Sequence, residues 1–158
     1  MNDSDLDEID LKLLGALQAD ASLSNAALAQ AVHVSPPTCL RRVKRLAEGG
    51  WIERQVAILN RDRLGYGLHA LVEVTLDQQA AEHLDAFEAR AVADASVQQC
   101  WRVSPGPDFV LVIQAADMLD YLAVTQRLLT QDANVRNVKA FFATKRAKFS
   151  TQIALPRG

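Results

Sequence analysis

Cysteine is scarce in this chain: Cys39 and Cys100 are the only two in 158 residues. So thin a supply excludes a disulfide framework, and neither thiol has a Cys or His neighbour at zinc-ligand spacing. His33, His69 and His83 are scattered and suggest no metal site. Long apolar runs are missing too. None approaches the ~18 consecutive apolar residues of a membrane helix. The opening MNDSDLDEID is acidic and lacks the basic-then-apolar order of a signal peptide, so the expected location is the cytoplasm. Catalytic signatures are equally lacking, with no nucleophile elbow, phosphate loop or carboxylate pair. There is no internal repeat and no low-complexity segment. Nor is positive charge in excess: the net charge is −2, which by itself argues against nucleic acid.

The distribution of that charge argues the other way. The first ten residues hold five acids and no base, whereas residues 35–63 hold seven bases against Glu48, Glu53 and Asp62. Local asymmetry of this kind marks a binding face. Within residues 24–52, SNAALAQAVHVSPPTCLRRVKRLAEGGWI, the pattern reads as two short helices, a tight turn and a stop. The first begins at Ser24 and buries Leu28, Ala31 and Val32. The second begins at Ser35, a hydroxyl N-cap, with Pro36 at the first helical position, where no N–H is needed. Gly49 and Gly50 supply the left-handed stop. On this helix Leu40, Val43 and Ala47 form an inner stripe with Leu46 at its edge. Thr38, Arg41, Arg42 and Arg45 face outward. A preceding helix over residues 6–19, capped by Asp5, would supply Leu6, Ile9, Leu13, Leu14 and Leu17 for the basic helix to pack on. Residues 51–60 are β-rich and follow the basic helix as a wing strand would.

Residues 60–67, NRDRLGYG, read as a linker. Beyond it the texture changes. Residues 68–76 alternate as a half-buried strand, and residues 80–92 are helical with Leu84, Phe87 and Ala91 on one face. Residues 97–103 form a strand, and SPGP at 104–107 a tight turn. Residues 109–115 form a strand apolar enough to be buried on both faces. A helix over 118–129 presents Leu119, Leu122 and Leu129, and residues 135–142 form the last strand. The order β-α-β-β-α-β predicts a ferredoxin-like α+β sandwich with both helices on one face of an antiparallel sheet. The expected domains are residues 1–60, a 61–66 linker, and 67–158.

Four stretches together carry a resemblance: LDEIDLKLLGALQADASLSNAALAQAV, SPPTCLRRVKRLAEGGWI, VQQCWRVSPGPDFVLVIQAADMLDY and NVRNVKAFFATKRAKFSTQI. In this order and at these separations the chain resembles the Lrp/AsnC, or feast/famine, family of transcription regulators. The resemblance implies a winged helix-turn-helix joined to an αβ-sandwich that senses a ligand and oligomerises. It implies a homodimer that assembles further to a tetramer or octamer. It also implies an amino acid or related small metabolite as effector, held between sensing domains near the glycine-containing turn. No cofactor is implied. Three departures stand out. His33 occupies the interhelical turn where the family often has Gly. The ligand turn reads Ser104-Pro105-Gly106-Pro107-Asp108, whose prolines have no N–H to donate. Lys145 and Arg146 stand where acidic residues are usual.

The candidate DNA contacts are Ser35, Thr38, Arg41, Arg42, Lys44, Arg45 and Arg54. Arg42 leads because it matches the family arginine and because guanidinium suits bidentate contact with guanine or phosphate. Lys44 is lateral and suits phosphate, and Ser35 with the nearby amides could hold a phosphate at the helix N-terminus. Arg61 and Arg63 are further backbone candidates. A dimer of such helices should read an imperfect palindrome with half-sites about one helical turn apart. The effector candidates are Ser104, Gly106, Asp108, Phe142 and Ala143, the last two pointing to a nonpolar side chain. Trp101 lines a pocket or simply packs. Two alternatives share this architecture: an enzyme like the siroheme decarboxylases, with His69 and Arg102 as the candidate cleft residues, and an oligomeric sensing protein without DNA binding.

Overall fold

The computed structural model describes residues 6–156, so the expected cap Asp5 lies outside the described residues. The chain divides into two units, one running to Ile58 and resuming at Lys148, the other Leu59–Ala147.

The first unit begins with α1 (Glu8–Ala19). Its cap is Asp7, in a reciprocal box: the Asp10 amide donates to Asp7 at 2.9 Å and the Asp7 amide to Asp10 at 3.2 Å. α2 (Asn25–Ala31) starts at the Ser24 hydroxyl and α3 (Pro36–Glu48) at the Ser35 hydroxyl. Between them His33 adopts a left-handed φ of 58°, a conformation that favours glycine. Asn25 donates from its side chain to the Pro36 carbonyl at 2.9 Å, tying the start of α2 to the start of α3. Leu13, Leu28, Ala29, Val32, Cys39 and Leu46 form the core, with Val43 and Ile52 partly buried against it.

Three inner assignments differ from the sequence reading. Ala29, not Ala31, is buried on α2, and on α3 Leu40 is 61% exposed and Ala47 is exposed as well. The short turn rotates both helices so that Cys39 and Leu46 take the inner stripe. The expected wing is not a strand either. Residues 51–60 form no ladder, opening with a bend at Trp51 and Ile52, and Val56, Ile58 and Leu59 are exposed. The tail returns to the first unit: Gln18 exchanges two hydrogen bonds of 3.1 Å with the Ile153 backbone. Leu155 lies against Gly15, so that a Cβ at residue 15 would meet it at 3.5 Å.

The second unit is built on β1 (Leu68–Leu76), β2 (Val97–Arg102), β3 (Phe109–Ala115) and β4 (Val135–Phe142), with α4 (Ala81–Ala93) and α5 (Met118–Thr125). The sheet order is β2-β3-β1-β4, antiparallel throughout. This is the ferredoxin-like arrangement expected, except that β3 is not buried on both faces: Val110 and Val112 are only partly buried, on the face the helices leave open. Ala70, Val72, Val74, Phe109, Leu111 and Ile113 meet Phe87 and Ala91 of α4 and Tyr121 and Val124 of α5 in one core. Phe87 and Phe109 stack at 4.8 Å between centroids; truncating either to Ala would cost about 3–5 kcal/mol.

The inner face of α5 is not the one expected, since Leu119 is 79% and Leu122 53% exposed. Two apolar stripes compete in this sequence. Asp117 caps the helix and the Asp120 carboxylate accepts from the Ala116 amide, which fixes a rotation that turns Tyr121 and Val124 inward. A π-turn over Gln126–Thr130 then buries both Leu128 and Leu129. The linker is also structured. Asn60 accepts from the Arg63 amide, Asp62–Leu64 form a short 3-10 turn, and Gly65 closes it at φ 81°.

Candidate functional site

Helix α3 presents a basic surface, but its arginines divide into two groups. The Arg42 guanidinium donates to Asp7 at 2.7 Å and to Asp10 at 2.9 Å, and Arg45 donates to the other Asp10 oxygen. The Asp10 side chain is 1% exposed and that of Arg42 21%. A carboxylate so buried requires cationic partners to remain charged. Arg42 therefore joins α3 to α1 and is committed to the interior. Burial works against ionisation of Asp7, yet the Asp10 amide and the Arg42 guanidinium hold its carboxyl below the ordinary range. The Asp7 carboxylate in turn raises Arg42. Arg45 is half engaged, its side chain 47% exposed.

The outward face carries Pro37, Leu40, Arg41, Lys44 and Glu48, all exposed. Lys44 lies 3.7 Å from Glu48 one turn on, a weak surface pair. Ser35 and Thr38 share a hydroxyl–hydroxyl hydrogen bond of 2.8 Å. The first turn of α3 offers no free amide to the expected phosphate, because Pro36 and Pro37 have no N–H, the Thr38 amide donates to the Ser35 hydroxyl at 3.4 Å and the Cys39 amide to the Ser35 carbonyl at 2.9 Å. Arg54 is exposed beside Glu53 at 4.0 Å. Arg63 is exposed, whereas Arg61 turns inward: its guanidinium reaches His69 Nδ1 and the Gln114 side-chain oxygen, the latter at 3.0 Å. Gln114 donates to the Tyr66 and Leu68 carbonyls, so this polar knot anchors the linker to the sheet.

The candidate effector residues fall at two places. Ser104, Pro105 and Gly106 form an exposed loop, with a cis Ser104-Pro105 bond and Gly106 at φ 126°. Asp108 is partly buried, and its carboxylate accepts from the Leu76 amide at 2.7 Å and from Gln79 at 3.2 Å. It closes the end of β1 against β3. Phe142 pairs with Ala70 at the opposite end of β1 and packs edge-on against Tyr121 at 5.0 Å, while the Ala143 amide donates to the His69 carbonyl at 2.8 Å. From residue 70 to residue 76 a strand rises about 20 Å. One chain therefore does not bring the two groups together.

His69 and Arg102 are separated in the same way, since His69 faces Gln114 and Arg102 faces Phe109 at the two ends of β3. Arg102 donates to Asp85 at 2.6 Å and approaches Glu88 at 2.8 Å. Trp101 is 57% exposed on the uncovered sheet face. Among the described residues no group of three or more His, Cys, Asp and Glu could hold a metal ion, and no helix is long and apolar enough to cross a membrane.

Sequence reasoning missed Asp7 and Asp10 as the partners of α3. The signal was present in the acidic opening, which sits before a helix that must pack against a basic one.

A basic helix held across a partner helix, joined to an antiparallel αβ-sandwich, defines a helix-turn-helix DNA-binding protein with a second, separately folded domain. Residues 6–47 match the model of the AsnC-type helix-turn-helix domain, and residues 69–153 that of the Lrp/AsnC ligand binding domain. The chain belongs to the Lrp/AsnC family and is a DNA-binding transcription regulator with a ligand-binding domain. It is 36% identical over 151 residues to a leucine-responsive regulatory protein of Rhizobium meliloti, covering 96% of this chain and 97% of that one. It is 37% identical over 142 residues to a Bkd operon transcriptional regulator of Pseudomonas aeruginosa, covering 90% and 93%. A transcriptional regulator of Neisseria meningitidis, solved as its L-Met complex, superposes with a TM-score of 0.90 at 27% identity, covering 95% and 97%.

Proposed function

We propose that this chain binds an imperfectly palindromic operator through the outward face of α3, and that a nonpolar amino acid shared between two copies modulates that binding. Arg41 and Lys44 make the principal contacts, with Ser35, Thr38, Arg45 and Arg54 touching phosphates. Arg42 positions the helix from behind. The effector reading is supported by two similar proteins, one named leucine-responsive and one solved with L-Met.

The observation that carries the shared site is the separation of its halves along β1. Ser104 and Gly106 of one copy meet Phe142 and Ala143 of another only when the two sheets are brought together in opposite directions. Asp108 shapes the loop from within. An effector so placed changes DNA affinity by favouring one assembly over another.

The uncovered face of the sheet supports a homodimer. Register places Leu71, Val112 and Phe141 in one row and Glu73, Val110, Lys139 and Trp101 in the next. Leu71, Phe141 and Trp101 are 43%, 46% and 57% exposed. Exposed apolar side chains grouped in this way, with Glu73 and Lys139 beside them, suit an interface between copies. Dimers then assemble further, to a tetramer or octamer. The protein acts by binding, in the cytoplasm, rather than by catalysis. The dispersal of His69 and Arg102 supports this.

A thermal-shift screen of the full chain against the proteinogenic amino acids, with siroheme in a parallel well, tests the reading. A saturable rise with a nonpolar amino acid, accompanied by a change in assembly size on light scattering, is expected, because a ligand selective for the folded state raises its melting temperature. A rise with siroheme alone would overturn it.

A further inference from the structure

Helix α3 leaves one large apolar side chain outside. Leu40 is 61% exposed while Cys39 and Leu46 on the inner stripe are 0% and 1%. A single exposed leucine is ordinary in general; its surroundings here are not. Leu40 stands in the N-terminal half of the helix, the part that reaches base edges when such a helix enters the major groove. Pro37 and Lys44 are its neighbours one turn either way and Arg41 adjoins it, all exposed. The cations favour a polyanion and would repel a basic surface. An apolar group framed by them meets the one apolar feature that the major-groove edge presents, the C5-methyl of thymine.

We propose that Leu40 reads a thymine methyl in each operator half-site and thereby sets sequence preference at that base, while Arg41 and Lys44 supply most of the affinity. This rests on α3 being the reading helix. The contact removes one methyl and part of the leucine from water, worth about 0.8 kcal/mol per buried methyl. By the tenfold-per-1.4 kcal/mol relation this is about a fourfold change in affinity.

The test uses the full chain and a duplex recovered by in vitro selection with it. Each thymine of one half-site is replaced in turn by deoxyuridine, which lacks only the methyl, and binding is followed by fluorescence anisotropy at fixed salt. One replacement is expected to weaken wild-type binding about fourfold. Leu40→Ala, melting as the wild type does, should bind the parent duplex more weakly and be indifferent to that replacement. Leu40→Val should retain sensitivity, and Arg41→Ala should bind more weakly and stay sensitive. If no deoxyuridine matters, or if Leu40→Ala remains sensitive to the same base, the proposal is wrong while α3 stands as the reading helix. An Arg41→Ala protein with unchanged affinity would remove that underlying reading and the proposal with it. Should Leu40→Ala instead change the assembly size without altering base preference, Leu40 belongs to a contact between copies and the proposal falls.

Discussion

Replacing Arg42 by alanine should damage the fold of the first unit more than any direct contact with DNA. In the structure its guanidinium spans Asp7 at 2.7 Å and Asp10 at 2.9 Å, and the Asp10 side chain is 1% exposed. Breaking a buried ion pair from one side costs about 3–5 kcal/mol, because the remaining charge is left uncompensated. Arg45 still reaches Asp10 from the other side, so the lower end, about 3 kcal/mol, is expected. In a domain of this size that lowers the melting temperature by about 12–24 °C. Circular dichroism melting gives the stability, and anisotropy with operator DNA well below the transition gives the affinity. Arg41→Ala is the control: it should melt as the wild type does, yet lose about 1–3 kcal/mol of DNA affinity and flatten the salt dependence by about one unit of slope. If Arg42→Ala melts within about 2 °C of wild type and loses affinity as Arg41→Ala does, the ion-pair assignment is refuted and Arg42 faces the groove.

Three other outcomes are expected. His33→Gly should raise the melting temperature modestly, by up to about 1 kcal/mol of stability, since glycine removes the cost of a left-handed φ while adding some unfolded-state entropy; a loss of stability on thermal melting would contradict this. Asp94, held down by Arg127, and Asp7, held down by the Asp10 amide and Arg42 against burial, have carboxyls below their ordinary 3.8. A depressed folded value contributes stability that is present above the unfolded value and lost as pH falls through the folded one. Melting temperature should therefore hold above about pH 5 and fall below about pH 4, and Asp94→Asn should shallow that fall; an unchanged acid limb would count against the pair. Removing residues 148–158 should destabilise the first unit selectively, because the paired hydrogen bonds between Gln18 and Ile153 and the seat of Leu155 at Gly15 are lost. Gln18→Ala should lower the same calorimetric transition, and a truncated protein with an unchanged transition would show that the tail contributes nothing there.

Most elements were legible in the sequence, the strand expected over 51–60 excepted. Ser24, Ser35 and Pro36 set the helix starts through local hydrogen bonding and a fixed φ, alternation placed β1, and a short apolar run placed β3. Such signals act over a few residues, so they survive translation into the fold. The βαββαβ order likewise left few ways to build one antiparallel sheet.

Tertiary structure decided what each exposed or charged side chain does. Periodicity counts Leu40 and Leu119 as core because it sees only spacing; which of two stripes turns inward depends on the turn at His33 and on the Asp117 cap. A row of arginines looks uniform in sequence, but Asp10 lies more than thirty positions from Arg42, and only folding of α1 against α3 pairs this arginine with it. The candidate effector residues follow from the resemblance one by one, and the sheet puts them at its two ends, because antiparallel register carries residue 108 beside residue 74 and residue 142 beside residue 70. Contacts between distant segments are set by register and packing, which no local pattern encodes.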